Sequence, residues 1–230
     1  MDEQRIKKVS QKFIPNKKSW VERSFYKQYL NILRKNVAKL SLEQKDRVYQ
    51  ELERLAGQLA EENKSMIVDR AAMTHLGMTT LVLASYRVLL PYFKDNESVI
   101  DILEDVFAGV GQPWIKIYTR LILKFSRDPF RTMIKVSKKR IENNYGKTFT
   151  FEYSGDGQNC FVITTKKCFY YDFFVLNDIP ELTRVFCSGD KNWFEQIKPD
   201  KHGFQFERPT TLGYGGSECP FKFTRVKYQG

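Results

Sequence analysis

Three residues late in the chain have the types and spacing for chemistry. Cys187, Asp190 and Trp193 stand at i, i+3 and i+6, so on a helix they share one side. A thiolate at Cys187 can attack an electrophilic carbon if a base or cation lowers its pKa. Asp190 works the other way, because a neighbouring carboxylate raises a thiol's pKa; His75, Arg184 or a lysine must then outweigh it. The plainer account makes Cys187 a small apolar residue packed among Leu182, Val185 and Phe186. His75 sits in the most apolar stretch of the chain. It serves there either as a general acid or base near neutral pH or as a packed histidine bonded to a neighbour.

A second group follows. Arg208 lies in an aromatic strand pattern and suits a planar clamp for a substrate carboxylate, or else a surface ion pair. Tyr214, Gly215 and Gly216 form a turn ahead of Cys219. Glycines there let backbone N–H groups approach an anion closely; equally, they make a tight turn into a strand with Cys219 packed inside. Cys160 and Cys168 read as structural. The four cysteines include no CxxC pair, so no metal is expected. Gly213-Tyr-Gly-Gly216 is neither a phosphate loop nor a dinucleotide fingerprint, so no cofactor is expected either.

These side chains need elements to hold them. Ser19 with Glu22 has capping-box spacing for a first helix over about 20–39, and Ser41 opens a second in which Leu42, Val48, Leu52, Leu55 and Leu59 recur at helical intervals. The stretch from Met66 to Leu90, apolar on nearly all sides, predicts a central helix ended by Pro91. Three further helices are expected before Gly146. The period then changes to two. KTFTFEY and NCFVITTKK flank the turn Ser154-Gly-Asp-Gly157 as a hairpin. A short aromatic helix follows, then a helix from Pro180 to Ile197 that carries Cys187 and is ended by KPDKHG. FQFERPTTL and Cys219–Phe223 alternate as closing strands. The expected fold is α+β: an N-terminal helical bundle, then a four-stranded, mainly antiparallel sheet with two helices, in ββααββ order. The expected organisation is a basic arm (1–18), a helical region (19–146) and an α+β region (147–230), the last two forming one compact unit.

With 18 Phe, 12 Tyr and 3 Trp in 230 residues, the chain is a folded protein. No apolar run is long enough to span a membrane and the N-terminus lacks an apolar signal core. A cytoplasmic location, free thiols and no membrane partner are therefore expected. The net charge of +11 concentrates in residues 1–40, with 11 Lys/Arg against 3 Asp/Glu; the remaining 190 hold 27 and 24. Such an arm is solvated or touches nucleic acid, and without a nucleic-acid motif the second is the weaker reading. The Leu-rich face of residues 42–59 suits an intramolecular bundle or a homodimer.

Cys187-Ser-Gly-Asp190, Phe206-Glu-Arg208-Pro-Thr-Thr211 and Gly215-Gly-Ser-Glu-Cys219-Pro-Phe-Lys-Phe223 together resemble the L-2-amino-thiazoline-4-carboxylic acid hydrolase family. The segment with His75 and Tyr86 fits the family's N-terminal half. The resemblance implies a hydrolase that opens a carboxylate-bearing 2-amino-thiazoline ring to a carbamoyl derivative of cysteine. Under it, Cys187 is the nucleophile and His75 its base or acid. Asp190 or Glu218 holds the amidinium, and Arg208 or Arg184 holds the carboxylate of this small-molecule substrate. A non-covalent version has Asp190 activate water. The element order is also similar to small-ligand-binding domains related to 4-vinyl reductases and vesicle-tethering subunits, whose pocket holds a ligand without chemistry. An enzyme should show a thiol alkylated selectively near neutral pH; a binding module should show inert thiols and a wholly apolar cavity.

Overall fold

The computed structural model describes residues 20–226, with side chains from residue 24 onward. The Ser19–Glu22 capping pair lies outside them. Six helices come first: α1 (Trp20–Asn36), α2 (Leu42–Glu62), α3 (Arg70–Leu89), α4 (Asn96–Gly109), α5 (Gln112–Phe125) and α6 (Pro129–Asn144). Local chemistry fixes their starts. The Ser41 hydroxyl accepts from the Gln44 N–H while the Gln44 side chain accepts from the Ser41 N–H. Asp69, Asp95 and Asp128 each accept a bond from the N–H three residues on.

Helix α3 is buried along most of its length. Its buried hydroxyl residues are satisfied within the helix: Thr79, Thr80 and Ser85 return bonds to carbonyls three or four residues back. Val48, Leu52, Ala56 and Leu59 of α2 are buried, and α2 packs on α3. The Leu-rich face is thus used inside the chain, apart from Leu42, which is exposed.

Strands β1 (Thr150–Ser154), β2 (Cys160–Lys167), β3 (Phe204–Glu207) and β4 (Cys219–Arg225) form one antiparallel sheet in the order β1-β2-β4-β3. The fold is α+β, mostly helical, as expected. At the first hairpin turn the Asp156 carboxylate accepts from the N–H groups of Gln158, Asn159 and Cys160. The period-two pattern divides the sheet. Ile163, Thr165, Cys219 and Phe223 face inward. On the outer side Lys166 bridges Glu152 and Glu218, and Lys222 pairs with Glu207.

Between β2 and β3 the expected two helices are four short pieces: α7 (Phe169–Leu176), α8 (Thr183–Ser188), α9 (Lys191–Phe194) and α10 (Pro199–His202). The single helix expected from Pro180 to Ile197 starts as a 3-10 turn and breaks at Gly189–Asp190. Tertiary bonds impose the break. Ser188 Oγ donates to the Glu104 carbonyl, Asn192 Nδ2 donates to the Ala108 carbonyl, and Gly189 lies against the Phe107 ring. The KPDKHG stretch forms α10 and stops at Gly203, whose φ of 67° is left-handed.

Two apolar cores result. One joins α1–α4 to α7 and α8; the other joins α5 and α6 to the inner face of the sheet. Where they fail to close on each other, a cavity remains.

Candidate functional site

The cavity has a volume of about 520 Å³, inside the range typical of small-molecule sites and well above what one five-membered ring fills. The inner face of the sheet forms one wall, α5 and α6 a second, α8 and α9 a third. Aromatic and aliphatic side chains dominate the lining, so each polar group that reaches it stands out.

Cys187, Asp190 and Trp193 all line it, although on two helices instead of one. Trp193 Nε1 donates to Asp190 Oδ1 at 3.1 Å. Arg208, just beyond β3, donates to Asp190 Oδ2 at 2.8 Å and to the Cys187 carbonyl at 3.3 Å. Its guanidinium lies over the rings of Phe194 and Phe221. With 9 % of its side chain exposed, Arg208 is a buried, fully committed cation.

The Cys187 thiol is 3.4 Å from Thr211 Oγ1. Burial pushes its pKa up to about 11; the Thr211 hydroxyl opposes this, Asp190 adds to it and Arg208 opposes it. Burial also raises Cys168 and Cys219, the latter despite the Leu212 N–H that its sulfur accepts. All three thiols line the cavity, and all are protonated near neutral pH. Among the described residues no cluster of three or more His, Cys, Asp or Glu side chains could hold a metal ion.

Other candidates are placed elsewhere. His75 sits one layer behind the cavity, its Nδ1 3.0 Å from the hydroxyl of Tyr170, which does line the cavity. Rings of Phe149, Phe169 and Tyr170 enclose it within 5.2 to 5.7 Å. Burial lowers its pKa, against the opposing backbone of Asn144 and Tyr145. Arg184 turns away and pairs with Glu97 at 2.5 Å and Glu104 at 3.7 Å. Glu218 lies with Lys166 on the outer face of the sheet. Tyr214 is half exposed outside the lining. The N–H groups of Gly215 and Gly216 donate to the carbonyls of Leu212 and Thr211 inside the turn, so neither is available to an anion. Gly213 and Gly216 have packing reasons: a Cβ at Gly213 would meet Arg184 N at 3.0 Å and Cys187 Sγ at 3.1 Å, and one at Gly216 would collide with Thr210 Oγ1.

The sequence reading missed Arg140. Its side chain is exposed to solvent, has protein groups crowded around it, and lines the cavity. Among the described residues it makes no hydrogen bond or ion pair. The nearby Tyr145 phenol, then the Asp190 carboxylate, push its pKa up and keep it charged. Thr183 Oγ1, also in the wall, is buried without a hydrogen-bond partner among those residues. A signal for Arg140 existed. Met133, Val136, Ser137, Arg140 and Ile141 fall at i, i+3, i+4, i+7 and i+8, the inward stripe of α6, and all five line the cavity. A cation on an apolar stripe must meet a partner or a polar space.

Two solved structures are similar at low identity. They are the Fe(II) unliganded H-NOX protein from K. algicida (10 % identity, TM-score 0.37, covering 88 % of this chain and 96 % of that one) and a mutant of that protein (14 %, 0.38, 90 % and 97 %). No curated protein matches the chain. The family model for L-2-amino-thiazoline-4-carboxylic acid hydrolase matches residues 78–223, a span that includes Arg140, Cys187, Asp190, Arg208 and Cys219 and begins three residues after His75. The chain therefore belongs to the L-2-amino-thiazoline-4-carboxylic acid hydrolase family.

Proposed function

We propose that the chain binds a small organic acid in the central cavity, with Arg140 taking its anionic group, and hydrolyses it at a C–N or C–S bond. The observation that carries this reading is the guanidinium of Arg140, charged and unpartnered among the described residues, inside an otherwise aromatic cavity. A solvent-accessible guanidinium with no protein partner in a largely apolar wall gains most from a carboxylate, which meets it with paired, charge-assisted bonds. The family name supplies the reaction class, ring-opening of L-2-amino-thiazoline-4-carboxylate.

The groups divide the work by chemistry. Arg140 replaces Arg208 and Arg184 as the carboxylate anchor, since both of those are already paired. Asp190 faces the substrate amidinium. The Cys187 thiol is a poor nucleophile while its pKa stands near 11. A cationic amidinium bound beside it lowers that value further than Arg208 does alone. Cys187 releases its proton to solvent, its sulfur bonds to the amidine carbon, the ring C–S bond breaks, and the departing sulfur takes a proton from the Tyr170 hydroxyl, which His75 holds and the incoming water reprotonates. Water next displaces Cys187, and its oxygen becomes the carbamoyl oxygen. The sum is addition of one water. In the alternative route Asp190 directs the water onto the same carbon without the covalent step.

The raised pKa of all three cavity thiols favours a second reading, ligand binding without turnover. Ring-opening of L-2-amino-thiazoline-4-carboxylate, followed in wild type, Cys187→Ala and Arg140→Met, separates these readings. Turnover lost in both variants supports the covalent route. Turnover that survives Cys187→Ala assigns the step to water. Saturable binding without turnover, lost in Arg140→Met, supports the binding reading. Absence of any binding overturns the proposal.

A further inference from the structure

The outer side of α5 is dressed for a different partner. Trp114, Ile117, Tyr118, Leu121 and Phe125 stand at i, i+3, i+4, i+7 and i+11 and form one narrow row. All are exposed, Trp114 to 74 % and Phe125 to 75 %. Five large apolar side chains in line on the surface mark an interaction face. Lys124 flanks the row with its Nζ over the Phe125 ring, while Arg120 donates to Gln196 and Lys116 sits in the groove beside Glu104 and Asp105. Arg127, Arg131 and Lys135 continue the charge into the loop and α6.

The charge is large and local. Residues 112–140 hold nine Lys/Arg and one acid, Asp128, a net +8, of which one positive charge, Arg140, belongs to the cavity wall. That acid caps α6 and is paired with Arg225 at 2.5 Å. The near-neutral balance beyond residue 40 therefore averages a strongly basic helical hairpin with an acidic remainder.

We infer that the α5–α6 hairpin docks on an anionic lipid surface, with the α5 row entering the headgroup boundary and the flanking cations meeting the phosphates. Both halves of the pattern are needed for that partner: aromatic and aliphatic residues on one side of a helix, Lys and Arg beside them. A nucleic acid answers the cations and leaves the row in water. A second copy brings its own +8 against this one across a two-fold interface, and like charge opposes that pairing. Residues 1–19, with six Lys/Arg against two acids, are repelled in the same way. Among the described residues no helix is long and apolar enough to cross a membrane. The expectation of no membrane partner rested on that kind of criterion, which does not detect a helix lying on the surface. Ile115, Tyr118, Thr119 and Ile122 of α5 also line the cavity, so Tyr118 belongs to the row and to the cavity wall alike.

The test uses the full chain and vesicles of phosphatidylcholine alone or mixed in equal parts with phosphatidylserine. Cosedimentation is expected with the mixed vesicles and not with the neutral ones. Trp114→Ser with Phe125→Ser should weaken it at least about tenfold, as should Lys124→Glu with Arg127→Glu. All four side chains stand at the surface, and unchanged circular dichroism and melting confirm that the variants fold. Failure of the full chain to bind overturns the inference. So does loss on charge reversal alone, with DNA bound equally well, which describes a general polyanion surface. A dimer that depends on Trp114 and Phe125 and excludes vesicles overturns it as well.

Discussion

Arg208 and Arg140 reach the same cavity from two walls and stand in opposite states. Arg208, beyond β3, has its carboxylate, its carbonyl and two aromatic faces. Arg140, on α6, has the cavity. Both sit among aromatic residues, so composition does not distinguish them; satisfaction of the guanidinium does. A buried cation with its partners in place holds a fold together, and a water-exposed one without a protein partner is free to take an anion.

The strongest way to break this contrast is to remove each cation. Arg208→Met leaves the half-buried Asp190 carboxylate without its cation, and an unfolding titration should lose about 1–3 kcal/mol of stability. Arg140→Met should leave stability unchanged or slightly higher. Equal losses in the two variants would end the distinction between a structural and a ligand-seeking arginine.

The Cys187 wall gives the next largest effect. A thiol with a pKa near 11 in place of its ordinary 9.0 has about a hundredth of the thiolate near neutral pH. Iodoacetamide should label Cys187 about a hundredfold more slowly than a small reference thiol, and saturation with an amidinium-bearing acid should close part of that gap. Fast labelling in the free protein would show a cation acting on the sulfur that the geometry lacks.

Gly213→Ala sharpens the account of the turn. The new methyl meets α8 backbone and the Cys187 sulfur at 3.0 to 3.1 Å, so a loss of about 1–3 kcal/mol is expected in denaturant titration. Gly215 has a left-handed φ of 82° with open space around it, so its alanine variant tests backbone strain alone.

The smallest effect concerns His75. Burial lowers its pKa, so between that lowered value and about 6.5 the unfolded chain binds more protons than the folded one. Its contribution to stability is complete above that window and is lost as pH falls through it. Thermal melts should show a shallower acid limb for His75→Phe than for wild type.

Much of this site could be read from the chain because it rests on spacing. Cys187, Asp190 and Trp193 reach one cavity despite the break at Gly189, since two short helices pinned to α4 preserve the common direction. The strand periodicity placed Cys219 and Phe223 on the inner face for the same reason. What stayed hidden depends on partners distant in sequence. Arg184 and Arg208 look alike until Glu97, Glu104 and Asp190 are in place. The glycine turn promised free N–H groups, and its own carbonyls took them. Arg140 was passed over because a Lys/Arg-rich helix reads as a solvated face until its packing side is known.

The most direct test of the central claim is calorimetric titration of L-2-amino-thiazoline-4-carboxylate into wild type and Arg140→Met, with Arg208→Lys as a control that keeps a cation beside Asp190. The account predicts saturable binding to wild type that weakens about 10- to 100-fold in Arg140→Met, as expected for loss of a charge-assisted pair, while the variant's unfolding curve stays in place. Undiminished binding to a well-folded Arg140→Met protein would contradict it.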